Sequence, residues 1–260
     1  MLSLSGNEEL RYDQLLLCLG SRPRALTCPG ATDVQVHYLR GIDDVPGIRQ
    51  HLKPDARITV IGGGFIGLEM AATAAQLGCT VTVLEMADRV MNRAVAPAIS
   101  HFLENEHRLN GVHIVCNARL LRLESASNSI RVLCADGTAW VADLLVAGIG
   151  AVPNVEVARE AGIHCDNGIL VDEYCRTSEP DIYAAGDCTN HPSRRYGPRV
   201  RLESVDNAVE QGKTAALNML GKPTVHDRVP WFWSDQFEHK LLTVGLSHGH
   251  DQWIMRGEPS

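Results

Sequence analysis

The sequence predicts an α/β protein built around a parallel sheet. Two observations carry that expectation. Residues 57–85 read as strand, glycine-rich turn, helix and strand within about thirty residues, which makes a βαβ unit. Elsewhere, short β-branched or leucine-rich runs alternate with longer segments of helical period, as α/β folds require.

Taken in order, residues 12–20, YDQLLLCLG, form an apolar run stopped by Gly20 and predict a strand buried on both faces. The segment SRPRALTCPGA is rich in turn formers and predicts a connection. Weak helical patterning over 43–53 ends at Pro54. Arg57-Ile58-Thr59-Val60-Ile61 predicts a strand. Residues 64–77, dominated by Ala and Leu, predict a helix that Gly78 terminates. The run TVTVLE over 80–85 predicts a second strand. A further helix is expected over 95–108, then strands at 112–116, 119–124, 130–134 and 144–148. The turn Ala135-Asp136-Gly137-Thr138 is a hairpin signal joining two of these, so the domain is expected to close with a β-meander. A strand at 182–185 precedes Gly186-Asp187, and a long helix is expected over 203–220. Past Pro223 the composition shifts. PWFWSDQF holds two of the four tryptophans, and the strand-like LLTVGL follows. A boundary is placed near residue 229.

Composition narrows the function class. A chain that is 45% hydrophobic and 21% charged can bury a sizeable core. A net charge of -7 argues against a nucleic-acid or anionic-membrane role. No apolar run reaches the length of a membrane span, so the chain reads as soluble and cytoplasmic. The eight cysteines form no CxxC pair and sit in apolar runs, as small buried hydrophobes do. Metal ligation by His248 and His250 would lack a second cluster, so no metal is expected.

The glycines of VIGGGFIGLE carry the chemistry. Gly62-x-Gly64-x-x-Gly67 follows a strand and opens a helix, the context a dinucleotide fingerprint needs. The first glycine permits the tight turn, the second lets a pyrophosphate approach, and the third lets the helix pack on the strand. Gly63, Phe65 and Ile66 complete the loop, and the helix N-terminus offers amides and a positive dipole end to the phosphates. Glu85 ends the second strand about 20 residues on, where a carboxylate accepts hydrogen bonds from the adenosine ribose and repels a 2′-phosphate. NAD is therefore favoured over NADP, with Arg89 and Arg93 keeping NADP open. Fingerprint and acid do not by themselves separate NAD from FAD.

The flanking segments do. YDQLLLCLGSRPR resembles the "YDxLxxATGxxPR" strand-turn of flavin-dependent pyridine-nucleotide reductases. VAGIGAVPN (146–154) resembles the strand end that closes their NAD domain. EPDIYAAGDC (179–188) resembles their second flavin motif, and RLESVDNAVEQGKTAA (201–216) the helix after it. With PWFWSDQF added, nearly the whole chain resembles the ferredoxin–NAD reductases of bacterial aromatic-ring dioxygenases, in particular those of 3-phenylpropionate/cinnamate dioxygenase systems.

The resemblance implies two Rossmann-like nucleotide-binding domains, a NAD domain inserted in a partial FAD domain, and the start of a C-terminal α+β domain. The implied boundaries are 1–30 and 154–228 for the FAD domain, 31–153 for the NAD domain and 229–260 for the C-terminal one. It implies FAD and NAD as cofactors, and electron flow from NADH through FAD to a [2Fe–2S] ferredoxin and on to a terminal dioxygenase. Gly62, Gly63, Gly64, Phe65, Ile66, Gly67 and Glu85 then belong to NAD. Glu69 would orient the nicotinamide carboxamide, and Gly148 and Gly150 would border the same cofactor. Gly20, Arg22 and Arg24 would lie near FAD, with Gly186 beside them; Asp187 would hydrogen-bond its ribityl chain and Trp233 would lie at its rim. Leu19 stands where the family has Thr, which removes a hydroxyl. The family's own FAD glycine loop precedes these segments, so the chain is expected to be shortened at both ends. The competing expectation is a flavin-free NAD-binding fragment without reductase activity.

Hydride transfer to a flavin asks little acid–base chemistry of the protein, so no catalytic acid, base or nucleophile is expected. Thiol–disulfide chemistry on the same architecture would need paired cysteines, and residues 55–153 contain no CxxC. The loop Arg194-Arg195-Tyr196-Gly197-Pro198-Arg199-Val200-Arg201 puts four arginines in eight residues of an acidic chain. It is either a solvated loop or a docking patch for an acidic ferredoxin.

Overall fold

The structure is a computed structural model and describes residues 1–4, 6, 8–247 and 251–257. It divides into two compact units. The first comprises described residues of Met1–Arg22, with Val152–Phe232 and Val244–Leu246. The second comprises Pro23–Ala151, Trp233–Thr243 and the described residues from Ser247 onward. His248 and His250 lie outside the described residues.

The second unit is built on a five-stranded sheet in the order Val36–His37, Leu144–Ala147, Arg57–Ile61, Thr80–Leu84, His113–Val115. Every pairing in it is parallel. Its strands are Val/Ile/Leu runs because both faces are covered. Ile58, Val60, Val81, Val83, Leu144 and Val146 pack with helix residues such as Leu68, Ala71 and Leu103. Their neighbours Ile61, Leu84, Leu145 and Ala147 point the other way, onto Leu123, Val132 and Cys134. The side-chain period of two sorts one strand into two cores. The two long helices are Phe65–Gln76 and Pro97–Leu109, and Pro opens the second at a position where its missing N–H costs nothing.

The meander departs from expectation in one respect. The turn at Asp136 and Gly137 joins Ser129–Cys134 to Ala139–Ala142, not to residues 144–148. Leu120–Ala126 completes this antiparallel sheet. Leu144–Ala147 instead enters the parallel sheet beside Arg57–Ile61. Asp143 sits at the switch. Its carboxylate accepts from the Arg57 backbone N–H at 2.9 Å and from the guanidinium at 3.0 and 2.5 Å. The Arg57 side chain holds the Asp143 carboxyl below the usual carboxylate range.

In the first unit Leu15–Leu17 pairs in parallel with Ile182–Ala184. The predicted strand over 12–20 is thus only three residues long, and Leu15 and Leu16 are half-buried while Leu17 is buried. Among the described residues this sheet has two strands, too few to bury both faces of the run. The long helix is Val205–Met219, with the Ser204 hydroxyl accepting from Asn207 N–H at 3.2 Å as its N-cap. The WFWSDQ segment is a strand, Trp231–Gln236, that turns back into His239–Val244. Phe237 and Leu241 of this hairpin pack against the core of the second unit. Among the described residues no helix is long and apolar enough to cross a membrane.

Candidate dinucleotide site

The glycine loop lies between the Arg57–Ile61 strand and the Phe65–Gln76 helix, at the carboxyl end of the parallel sheet. Gly62 holds φ at +103°, and a Cβ there would lie 2.5 Å from the Gly148 carbonyl oxygen. A Cβ on Gly67 would lie 2.0 Å from the Gly62 carbonyl oxygen. Both positions are closed by backbone, so the loop accepts only glycine at each. Gly64 differs: a Cβ there meets nothing within 4 Å. The space beside Gly64 is open to a ligand, as a pyrophosphate site requires. Gly64 is also the N-cap, and no side chain caps the helix there. Phe65 is half-buried against the core and Ile66 is exposed.

Glu85 does more than the ribose reading implied. One carboxylate oxygen accepts from Gly63 N–H at 2.6 Å and the other from Ala87 N–H at 2.7 Å. It ties the glycine loop to the end of the second strand. Each oxygen keeps a further lone pair for a ribose hydroxyl. Arg89, one of the two cations that left NADP open, is committed elsewhere. Its guanidinium donates to the Val95 and Asn92 carbonyls and to the Ser100 hydroxyl at 3.0, 2.8 and 2.6 Å. Arg93 is exposed. Glu85→Ala is expected to weaken NADH binding about tenfold or more, by the 1–3 kcal/mol of charge-assisted hydrogen bonds. Calorimetric titration with NADH checks this, and unchanged affinity would show that Glu85 does not touch the ribose.

Gly148 donates to the Ile61 carbonyl at 2.8 Å, and its missing side chain faces Gly67 at 3.4 Å. Gly150 takes φ +102° and accepts from Arg24 N–H at 2.9 Å. The second unit therefore collects Gly62, Gly63, Gly64, Phe65, Ile66, Gly67, Glu85, Gly148 and Gly150 around one loop. Glu69, one turn into the helix, accepts from the Ser234 hydroxyl at 2.5 Å.

The residues assigned to FAD divide between the units. Gly20, Arg22, Gly186 and Asp187 lie in the first, Arg24 and Trp233 in the second. Gly186 takes φ +85° and donates to the Gln211 side-chain oxygen at 2.8 Å, which also accepts from the Thr189 hydroxyl at 2.8 Å. The Asp187 carboxylate accepts from the Ser21 hydroxyl at 3.0 Å. Ser21 and Gln211 were missed in the sequence; neither stands in a quoted pattern with a role of its own. Arg22 is spent on Glu156 through two nitrogens, at 2.7 and 3.2 Å, and on Asn154 at 2.7 Å.

The arginine loop also divides. Arg199 donates to the Val171 and Asn190 carbonyls and to the Asn190 side chain. Arg201 pairs with Glu203 and reaches Asn167. Arg194 makes an exposed pair with Glu173 at 3.4 Å. All eight cysteines are free. Burial pushes the Cys175 thiol up to about 12 and Cys116 up to about 11, which disfavours the thiolate that disulfide chemistry uses.

Sheet, glycine loop and terminal carboxylate define an α/β protein with the Rossmann-like architecture of dinucleotide-binding domains. The chain belongs to the pyridine nucleotide-disulphide oxidoreductase family, whose sequence profile matches residues 2–212; a reductase C-terminal profile matches residues 231–260. It is 45% identical over 260 residues to putidaredoxin reductase CamA of Pseudomonas putida, covering 98% of this chain and 62% of the relative. It is 36% identical over 255 residues to the 3-phenylpropionate/cinnamic acid dioxygenase ferredoxin–NAD(+) reductase component of Photorhabdus laumondii, covering 98% of this chain and 64% of that one. Its fold superposes with a TM-score of 0.93 on the crystal structure of the covalent putidaredoxin reductase–putidaredoxin complex, at 44% identity over 98% of this chain and 62% of the other. The chain thus spans about 62% of the length of its curated relatives.

Proposed function

We propose that this chain reads NADH for a FAD-dependent reductase that passes electrons to a [2Fe–2S] ferredoxin feeding an aromatic-ring dioxygenase. The observation that carries the NAD part is the open face at Gly64 beside a loop closed on Glu85. With Arg89 turned inward, a carboxylate faces the ribose position without that cation to balance a 2′-phosphate. The ferredoxin part is supported by the likeness to reductases of oxygenase systems.

A bound FAD would supply the chemistry, taking a hydride from NADH and releasing electrons singly. Gly186 and Asp187 would then meet its ribityl chain, with Gly20 nearby in the same unit. The protein's share is position and electrostatics, not proton transfer. For the ferredoxin, Arg194 and Arg195 are the docking candidates, because Arg199 and Arg201 already hold their own loops. Reversing both to Glu is expected to slow ferredoxin reduction several-fold and flatten its dependence on ionic strength. Unchanged rates and salt dependence, measured in stopped flow, would remove the loop from the docking surface.

Purification tests the reading directly. NADH binding tighter than NADPH binding, with a flavin absorption band, supports it. The competing reading is a flavin-free NAD-binding protein, in which the glycine loop closed on Glu85 would act alone. A colourless protein that still binds NADH would select that reading.

A further inference from the structure

A line of buried hydrogen bonds in the second unit ends on Glu69. His107 Nε2 lies 3.0 Å from the Gln236 side-chain oxygen. The Gln236 amide nitrogen donates to the Ser234 hydroxyl at 2.9 Å, and that hydroxyl donates to Glu69 Oε1 at 2.5 Å. His107, Ser234 and Gln236 are 0%, 1% and 2% exposed, so water cannot substitute for any of these partners.

The chemistry of the groups orients the chain. A carboxylate only accepts, so the single hydroxyl proton of Ser234 goes to Glu69. Ser234 must then receive its own hydrogen bond, and the Gln236 amide provides it. The amide oxygen is left for His107, which therefore carries its proton on Nε2. His107 Nδ1 has no partner, and burial lowers the pKa of the ring, so it stays neutral. Phe237 stacks edge-on against His107 at 4.9 Å and holds the ring in place. Each donor thus points along the line toward Glu69. Ser234 and Gln236 come from the Trp231–Gln236 strand, 165 residues away from Glu69 for the closing contact.

We propose that Ser234 is a positioning residue for the nicotinamide, acting through Glu69. This rests on the reading that Glu69 faces the nicotinamide carboxamide. By holding Oε1, Ser234 fixes the carboxylate and presents Oε2 to the carboxamide N–H. The C-terminal hairpin then completes the cofactor site, and the glycine loop binds only the adenosine and phosphate half.

The two halves of the cofactor separate the outcomes. Ser234→Ala is expected to weaken NADH binding about five- to tenfold, the cost of one buried charge-assisted hydrogen bond, and to leave ADP-ribose binding unchanged. Ser234→Cys, of nearly the same volume but a weak donor, is expected to do the same if the alanine variant folds poorly. On a Glu69→Ala background, Ser234→Ala is expected to add little, because the acceptor of its hydrogen bond is already gone. Calorimetric titration of the intact chain with NADH and with ADP-ribose reads all of these. Equal losses for both ligands, or no loss for either, overturns the proposal. Failure of the unmodified chain to bind either ligand overturns the NAD reading itself, and this inference with it.

Discussion

Gly67→Ala is expected to destabilise the second unit by about 3 kcal/mol and to abolish NADH binding, the upper end for forced overpacking. The added methyl would sit 2.0 Å from the Gly62 carbonyl oxygen and 3.1 Å from its carbon, with Val60 Cγ1 at 3.3 Å. Both neighbours that matter are backbone and cannot swing aside. The helix must retreat from the strand, taking its N-terminal amides away from the phosphates. Gly64→Ala is the informative partner. Its methyl meets no protein atom within 4 Å, and the residue's φ of -84° suits any side chain. That variant is expected to keep its melting temperature within a few degrees yet lose NADH affinity, because the methyl occupies ligand space. Thermal melts and NADH titrations of both variants check the pair. Parallel behaviour of the two would mean that the space beside Gly64 is not where the dinucleotide lies.

Acid is expected to unfold the first unit early, through His191. This ring is 5% exposed, lies edge-on to His226 with centroids 4.9 Å apart, and has no partner on Nδ1. Burial, then the neighbouring His226 and Arg199, push it down to about 4; burial first, then Arg228, lowers His226 as well. A histidine whose folded pKa is depressed takes up its proton first in the unfolded chain. Its contribution is intact above about 6.5 and is lost as pH falls from there toward 4. At pH 5 the loss from His191 alone is on the order of 2 kcal/mol, at 1.36 kcal/mol per unit. His191→Gln is therefore expected to lose about that much less than the unmodified protein between pH 7.5 and 5. Denaturant unfolding at the two pH values measures it, and equal losses would clear His191 of the effect.

The arginine loop shows how sequence and structure share the reading. Four arginines in eight residues announce a basic patch in an acidic chain. Their fates differ for reasons of distance. Arg199 and Arg201 find carbonyls and an amide on other segments and the adjacent Glu203 carboxylate, while Arg194 makes only an exposed pair. The meander behaves alike. The Asp136-Gly137 turn announced a hairpin, but both AWVA and LLVA are apolar enough to be the returning strand. LLVA is buried at all four positions and fits a sheet covered on both faces, whereas AWVA is exposed at alternate positions and returns in the hairpin. Asp143, paired with Arg57 eighty-six residues earlier, lies between them. Glu85 was legible as an acid at a strand end; that it also holds Gly63 and Ala87 was not.

From sequence alone came the βαβ unit, the glycine spacing at Gly62, Gly64 and Gly67, the acid at the strand end and the resemblance to a reductase family. These properties reside in consecutive residues, where a glycine's φ, a strand's alternation or a helix's N-terminus is set within a few positions. Only the tertiary structure decided which cations remain at the surface, which run closes the meander, how His191 meets His226, and that Ser234 reaches Glu69. Those are contacts across up to 165 residues of chain. No local periodicity encodes them, because they exist only once buried polar groups have had to find partners inside the folded core.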